Sequence, residues 1–284
     1  MENHKSGFVT LAGRPNVGKS TLLNRLMGEK ISIVSNKPQT TRNKIRGILT
    51  EEGSQIVFLD TPGIHKPKSK LGENMMTMSY DALADGDIIA FIISPEKSKD
   101  LIESDELFIK SIPKSRGKIF LIINKIDTVP KDAILGIIER YREFADFAEI
   151  IPISATRGEN TDKLKETILE YLPEGPRFFP EDMSTDMPER FLISETIREK
   201  ALFFLQDELP HGIAVDIDKF ALRENQAIID IEAVIYCDKD SHKGMIIGKG
   251  GAKLKEIGTS ARLDIQRMYD EKINLQVWVK VKEN

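Results

Sequence analysis

The run Gly13-Arg14-Pro15-Asn16-Val17-Gly18-Lys19-Ser20 constrains this chain more than any other feature. It fits Gly-x4-Gly-Lys-Ser/Thr in full, follows an apolar run and precedes a segment of helical spacing. A strand that stops at a glycine turn and passes into a helix aims successive backbone N–H groups at one point. Such a point suits the phosphates of a nucleotide. Lys19 is placed to reach the β- and γ-phosphates, and the Ser20 hydroxyl to bind Mg²⁺.

The apolar runs 8–13, 45–50, 55–60, 87–94, 118–123 and 149–154 alternate with candidate helices at 19–28, 71–85, 101–112, 131–146 and 160–172. Several runs are apolar throughout, as strands covered on both faces must be. Only Glu51-Glu52-Gly53-Ser54 separates the second and third, which is too short for a crossover helix and predicts an antiparallel hairpin. The expected fold class is α/β, a doubly wound, mostly parallel sheet with one antiparallel pair, over residues 1–173.

Three further motifs follow strands. Asp60-Thr61-Pro62-Gly63 ends the third, where Asp60 can hold Mg²⁺ through water and Gly63 lets a backbone N–H approach the γ-phosphate. Asn124-Lys125-Ile126-Asp127 follows the fifth. The Asp127 carboxylate can accept both N1–H and the 2-amino group of guanine, a donor pair that adenine lacks. Lys125 can lay its stem along base and ribose. Ser154-Ala155-Thr156 follows the last strand, where the Ala155 N–H is placed to donate to the guanine carbonyl. The expected ligand is GTP, with GDP as product, held by 13–21 (Gly13 through Thr21), 60–64, Asn124, Lys125, Asp127, Ser154, Ala155 and Thr156.

In order and position these motifs resemble the translation-factor-like GTPase superfamily. The resemblance implies that Pro38-Gln39-Thr40-Thr41-Arg42 is the first switch, with Thr41, or alternatively Thr40, joining Ser20 and Asp60 on Mg²⁺. Ras-like members orient water with a glutamine directly after Asp-x-x-Gly; here Ile64 stands instead. His65 is a weaker substitute. The resemblance also implies a subgroup in which the asparagine at position 16 helps bind K⁺ between the phosphates, doing the electrostatic work of an arginine finger. Asn16, Lys19 and Thr41 are therefore the expected catalytic residues.

Bulk properties bound the rest. With 284 residues, 30% charged and a net charge of -4, the chain has room for two domains and is not an electrostatic nucleic-acid binder overall. The single cysteine, Cys237, lies in an apolar run and reads as buried packing. No run approaches the roughly 20 apolar residues of a membrane span, which makes a cytoplasmic setting the expectation.

Four prolines between 173 and 188 mark a linker, taken as 174–190. Beyond it, 191–284 reads as α-β-β-α-α-β: a helix at 194–210, strands at 212–220 and 227–237, a helix near 252–270 and a strand at 273–281. Gly248-Lys249-Gly250-Gly251, preceded by an apolar triplet and followed by an amphipathic helix, resembles the turn with which KH domains clamp about four nucleotides. Between Lys239 and Arg267 there are about seven basic and three acidic residues. Lys243, Lys249, Lys253, Lys255 and Arg262 are the candidate phosphate contacts. Few aromatics lie near the turn, so base edges and apolar packing are expected to outweigh stacking.

Taken together, from about Gly7 to Val281, the chain resembles the Era family of bacterial GTPases. That resemblance implies a monomeric switch on the 3′ end of small-subunit ribosomal RNA during 30S subunit assembly, with weak peripheral membrane association. Two other readings stand beside it. A nucleotide-driven modification enzyme would need a further catalytic domain or reactive cysteine. A KH-like domain could also bind a protein or a different RNA.

Overall fold

The computed structural model describes residues 4–35, 37, 40–64, 70–95, 99–112, 117–205, 213–224, 226–269 and 271–282. It divides into two compact units, residues 1–32 with 41–186 and residues 33–40 with 187–284.

The first unit runs β1 (Lys5–Ala12), α1 (Lys19–Met27), β2 (Ile45–Glu51), β3 (Ser54–Asp60), α2 (Lys70–Asp85), β4 (Ile88–Ile93), α3 (Lys99–Ser111), β5 (Lys118–Ile123), α4 (Lys131–Arg142), β6 (Glu149–Pro152) and α5 (Thr161–Tyr171). The sheet order is β2-β3-β1-β4-β5-β6. All neighbours are parallel except β2 and β3, which form the expected hairpin. Every residue of β3 and β4 is buried, which explains why their sequences do not alternate. The ends of β1 and β3 lie side by side, Leu11 against Asp60, so the loops that follow them share one edge of the sheet.

α4 stops at Arg142, four residues short of the expected end. Phe144, Ala145 and Phe147 turn back onto the core, and the Ala148 N–H donates to Ile119 O at 2.9 Å to start β6.

The first part of the stretch 174–190 is packed, not free. Buried Gln55 accepts the N–H groups of Phe178 and Phe179 at 2.8 and 3.0 Å, and its amide donates to Phe179 O. Phe179 and Met183 cover Ile48, Val57 and Leu59, while the Ile48 N–H donates to Ser184 O at 2.8 Å. The chain thereby caps the open edge of β2, and the division between compact units falls after Asp186.

The second unit contains α6 (Glu189–Leu205), β7 (Ala214–Leu222), β8 (Ile228–Cys237), α7 (Asp240–Ile247), α8 (Ala252–Tyr269) and β9 (Lys272–Val281). β8 is central, antiparallel to β7 and parallel to β9. Ile193, Ile197 and Ala201 of α6 and Ile257, Ala261 and Ile265 of α8 recur every four residues and bury one stripe against Ile231, Ala233 and Ile235. Cys237 is 1% exposed in this core. α6 begins five residues before its expected start. Pro188 supplies the first carbonyl, which accepts from both Phe191 and Leu192, and Ser194 bonds back to Phe191 O rather than capping. Residues 206–212, which hold the expected end of that helix and start of the next strand, lie outside the described residues, as do Pro38, Gln39 and His65.

Val34 and Thr40 belong to this second unit. The Val34 N–H donates to Glu199 Oε1 at 2.8 Å, and the buried Arg198 guanidinium donates to Thr40 O.

Candidate functional site

The phosphate-loop motif occupies the turn from β1 into α1. Gly13 (φ 145), Asn16 (φ 63) and Gly18 (φ 100) take left-handed backbone there. A Cβ at Gly18 would stand 2.2 Å from Asn124 Nδ2, so side chains are barred where the two nucleotide loops meet. Lys19 is 6% exposed and folds its ammonium onto the loop, donating to Gly13 O at 3.0 Å and Arg14 O at 2.9 Å. Burial lowers its pKa to about 8, opposed by the Asp60 charge and aided by that of Arg14. Val17 is buried, Pro15 half-buried, and Thr21 lies in the first turn of α1. The Arg14 side chain turns away from the loop mouth into a buried ion pair with Asp105 at 2.8 Å. Only its main chain is left to serve phosphates.

Oxygen donors converge beside this loop. Ser20 Oγ donates to Asp60 Oδ2 at 2.7 Å and lies 3.0 Å from Thr41 Oγ1. Thr40 instead donates to Lys37 O at 2.6 Å, so the register that sequence leaves open places Thr41, not Thr40, with Ser20. Ser32, which no motif marks, donates a second bond to Asp60 Oδ2 at 2.9 Å and is itself clamped by Asn24. Asp60 Oδ1 is buried with no partner among the described residues. Burial raises the Asp60 pKa, against the pull of Lys19 and three hydroxyls. A desolvated carboxylate oxygen beside two hydroxyls is a donor set for a hard divalent cation, and Mg²⁺ fits it.

The Asp60-Thr61-Pro62-Gly63 loop is pinned by Thr61, which donates to Leu11 O at 2.9 Å, and by Ser79, which donates to Pro62 O at 3.0 Å. The Ile64 N–H donates to Gly13 O at 3.1 Å, tying this loop to the phosphate loop. Its side chain, 8% exposed, belongs to the core.

Across the loop lie the residues expected to read the base. Asn124, 2% exposed, donates to Val17 O at 2.8 Å and accepts the Ala155 N–H at 3.0 Å. The Ala155 N–H, expected to face the base, is thus engaged by Asn124, and a base carbonyl would have to share it. Lys125 (φ 63) donates to Asn16 O at 2.6 Å. The Asp127 carboxyl is held below the usual carboxylate range by a hydrogen bond to Ser154, helped by Arg157 and Lys125. Its Oδ1 is buried and unpartnered among the described residues, an acceptor awaiting donors. Ser154 Oγ lies 3.2 Å from Thr156 Oγ1. Arg25, also unmarked by any motif, donates to the carbonyls of Ala155 and Thr156 at 3.0 and 2.6 Å and steadies this loop from α1.

In the second unit the glycine turn joins α7 to α8. Gly248 has φ 72, and a Cβ there would stand 2.7 Å from Lys253 Cβ; Gly250 (φ 61) and Gly251 (φ 78) are also left-handed. Lys249 and Lys255 are exposed and Lys253 half-buried beside the turn. Next to them a groove of about 340 Å³ runs between α8 and β9. Leu254, Gly258, Leu275 and Val277 make its apolar floor; Lys255, Thr259 and Arg262 rim it. No aromatic lines the groove among the described residues. Trp278 follows Val277 and so faces the opposite side of the sheet.

Comparison with known proteins agrees with both halves. Residues 8–125 match the family described as 50S ribosome-binding GTPase, and residues 208–284 match the KH domain family. GTPase Era of Clostridioides difficile (strain 630) is 54% identical over 281 residues, 99% of this chain and 94% of that protein. GTPase Era of Clostridium novyi (strain NT) is 53% identical over 279 residues, with 98% and 94% covered. Among solved structures, Era in complex with MgGDPNP and nucleotides 1506–1542 of 16S ribosomal RNA superimposes with a TM-score of 0.92 at 40% identity, covering 99% of this chain and 95% of that one. A variant of Aquifex aeolicus Era bound to GDP and aluminium fluoride matches with the same values. The chain belongs to the Era family of GTPases.

Proposed function

We propose that this protein is a GTP-hydrolysing switch that binds the single-stranded 3′ end of small-subunit ribosomal RNA and acts in assembly of the 30S subunit. The observation that carries this reading is a single chain in which a guanine-type nucleotide site is joined to a basic-rimmed, apolar-floored groove beside a Gly-x-x-Gly turn. An Era relative of nearly the same span was solved with MgGDPNP and a 16S fragment, which supports the same pairing of ligands here.

At the nucleotide site, Gly13 through Thr21 hold the phosphates, mainly through backbone N–H groups and Lys19. Asp127 and Lys125 hold guanine, and Asn124 braces both loops. Ser20, Thr41 and Asp60 hold Mg²⁺, which when bound neutralises charge on the β- and γ-phosphates. Asn16, exposed in the loop, helps hold K⁺. The protein acts as a cytoplasmic monomer with a peripheral membrane fraction; no described helix is long and apolar enough to cross a membrane.

In the second unit, the turn Gly248-Lys249-Gly250-Gly251 clamps the RNA backbone, with Lys253 and Lys255 on phosphates and the groove floor under the bases. The test is anisotropy of a labelled single strand matching the 16S 3′ end. Replacing Lys249 and Lys253 by alanine is expected to weaken binding by about tenfold or more. It should also flatten the salt dependence by roughly 1.4, about 0.7 for each lost phosphate contact. Unchanged affinity and slope would favour a protein partner for this domain.

A further inference from the structure

The phosphate loop carries an arginine whose side chain is buried in an ion pair. Arg14 is 7% exposed, and its Nε donates to Asp105 Oδ1 at 2.8 Å. Asp105, on α3, is 1% exposed, and its other oxygen accepts the Tyr141 hydroxyl of α4 at 2.7 Å. Tyr141 is also buried. Burial first, and then the Asp105 charge, raise its phenol pKa, so it remains a donor throughout the neutral range.

Three polar side chains from three segments therefore meet in the interior. Such an arrangement is an expensive way to gain stability, because apolar residues of similar volume often serve as well or better. What an ion pair adds is direction. The Arg14 carbonyl is one of the two that receive the Lys19 ammonium, at 2.9 Å, with Gly13 O at 3.0 Å. Fixing the Arg14 side chain from α3 and α4 fixes the peptide on which Lys19 rests, and with it the curve of the loop. Electrostatic catalysis depends on that kind of preorganisation, since a donor displaced by a fraction of an ångström loses much of its transition-state advantage.

We propose that Asp105 and Tyr141 are positioning residues for GTP hydrolysis, acting through Arg14 to set Lys19 and the phosphate loop against the transferred phosphoryl group. The inference rests on the reading that this loop holds the phosphates of GTP.

Three variants test it: Tyr141→Phe, Asp105→Asn, and the charge-free pair Arg14→Met with Asp105→Leu. Each is compared with wild type in single-turnover hydrolysis at saturating GTP, in fluorescent-GDP affinity and in thermal midpoint. Tyr141→Phe should lose roughly two- to fivefold in turnover and Asp105→Asn about tenfold or more, with GDP affinity changed less than turnover, as for an interaction that matters most in the transition state. The charge-free pair should regain thermal stability relative to Asp105→Asn while turnover stays low. Wild-type turnover in the charge-free pair would reduce the network to a structural ion pair and overturn the proposal. So would wild-type turnover in Tyr141→Phe, which decides the matter even if the charged-site variants do not fold. Wild-type protein that fails to bind GDP in the same assay would instead fault the nucleotide reading.

Discussion

Lys125 donates its ammonium to the main-chain carbonyl of Asn16 at 2.6 Å, and both residues take left-handed backbone at φ 63. The loop after β5 thereby braces the turn between β1 and α1 at Asn16.

That placement yields a cation test. If Asn16 helps hold K⁺ against the phosphates, replacing Na⁺ by K⁺ at constant ionic strength should raise the hydrolysis rate, because screening is then unchanged. Asn16→Ala should abolish the gain while GDP affinity stays within a few-fold, since Lys19, Ser20 and Asp127 supply most ground-state binding. Equal wild-type rates in the two salts would remove K⁺ from the site.

Asp127 Oδ1, buried and unpartnered among the described residues, predicts the base preference. Asp127→Asn replaces an acceptor by a donor, so preference should pass from GTP to xanthosine triphosphate in a competition assay. The depressed Asp127 pKa carries a pH corollary. A lowered carboxyl stays ionised until the pH falls below its ordinary value of 3.8. Guanine selectivity should accordingly persist at about pH 5. Its disappearance there would place the reading of guanine elsewhere.

Ile64 sits in the core, where a Ras-like enzyme would present a glutamine. Intrinsic turnover should therefore be slow, in the range of about 10⁻⁴–10⁻² per second for unassisted GTPases. Purified protein turning over tens of GTP per second would show an activating side chain still to be found.

Ser32 donates to the same Asp60 oxygen as Ser20. If Ser20 serves as a Mg²⁺ ligand, Ser32 would still orient the Asp60 carboxylate, so Ser32→Ala should lower Mg²⁺ affinity about tenfold. The measurement is GDP release rate against Mg²⁺ concentration; Ser32→Thr should restore the wild-type curve. Coincident curves for Ser32→Ala and wild type would assign Ser32 a packing role only.

Lys19 gives the nucleotide-free protein a pH signature. Folded Lys19 loses its proton near pH 8 and the unfolded residue near 10.5. Between those values the unfolded chain binds more protons, so stability rises with pH there. A difference of that size is worth about 3 kcal/mol at most. Urea denaturation at pH 8, 9 and 10 should show wild type gaining on Lys19→Met; parallel curves would mean that Lys19 keeps its proton in the folded state.

Short-range features are legible in the order of residues alone. Gly13 through Ser20, Asp60 to Gly63, Asn124 to Asp127 and Gly248 to Gly251 each declare their backbone path through residues adjacent in the chain. The apolar run Ile56 to Leu59 of β3 and the wholly apolar β4 declare a sheet covered on both faces. Contacts made across the fold carry no such signature. Ser32 meets Asp60 from 28 positions away, Asp105 meets Arg14 from 91, and Gln55 anchors Phe178 and Phe179 from more than 120. A serine, an aspartate or a glutamine at such a distance looks like any other polar residue until packing removes the water around it and leaves one partner. That Thr41 lies beside Ser20 while Thr40 bonds to Lys37 O is of the same kind. Adjacent and chemically identical, the two are separated only by which carbonyl or hydroxyl the folded chain sets beside each.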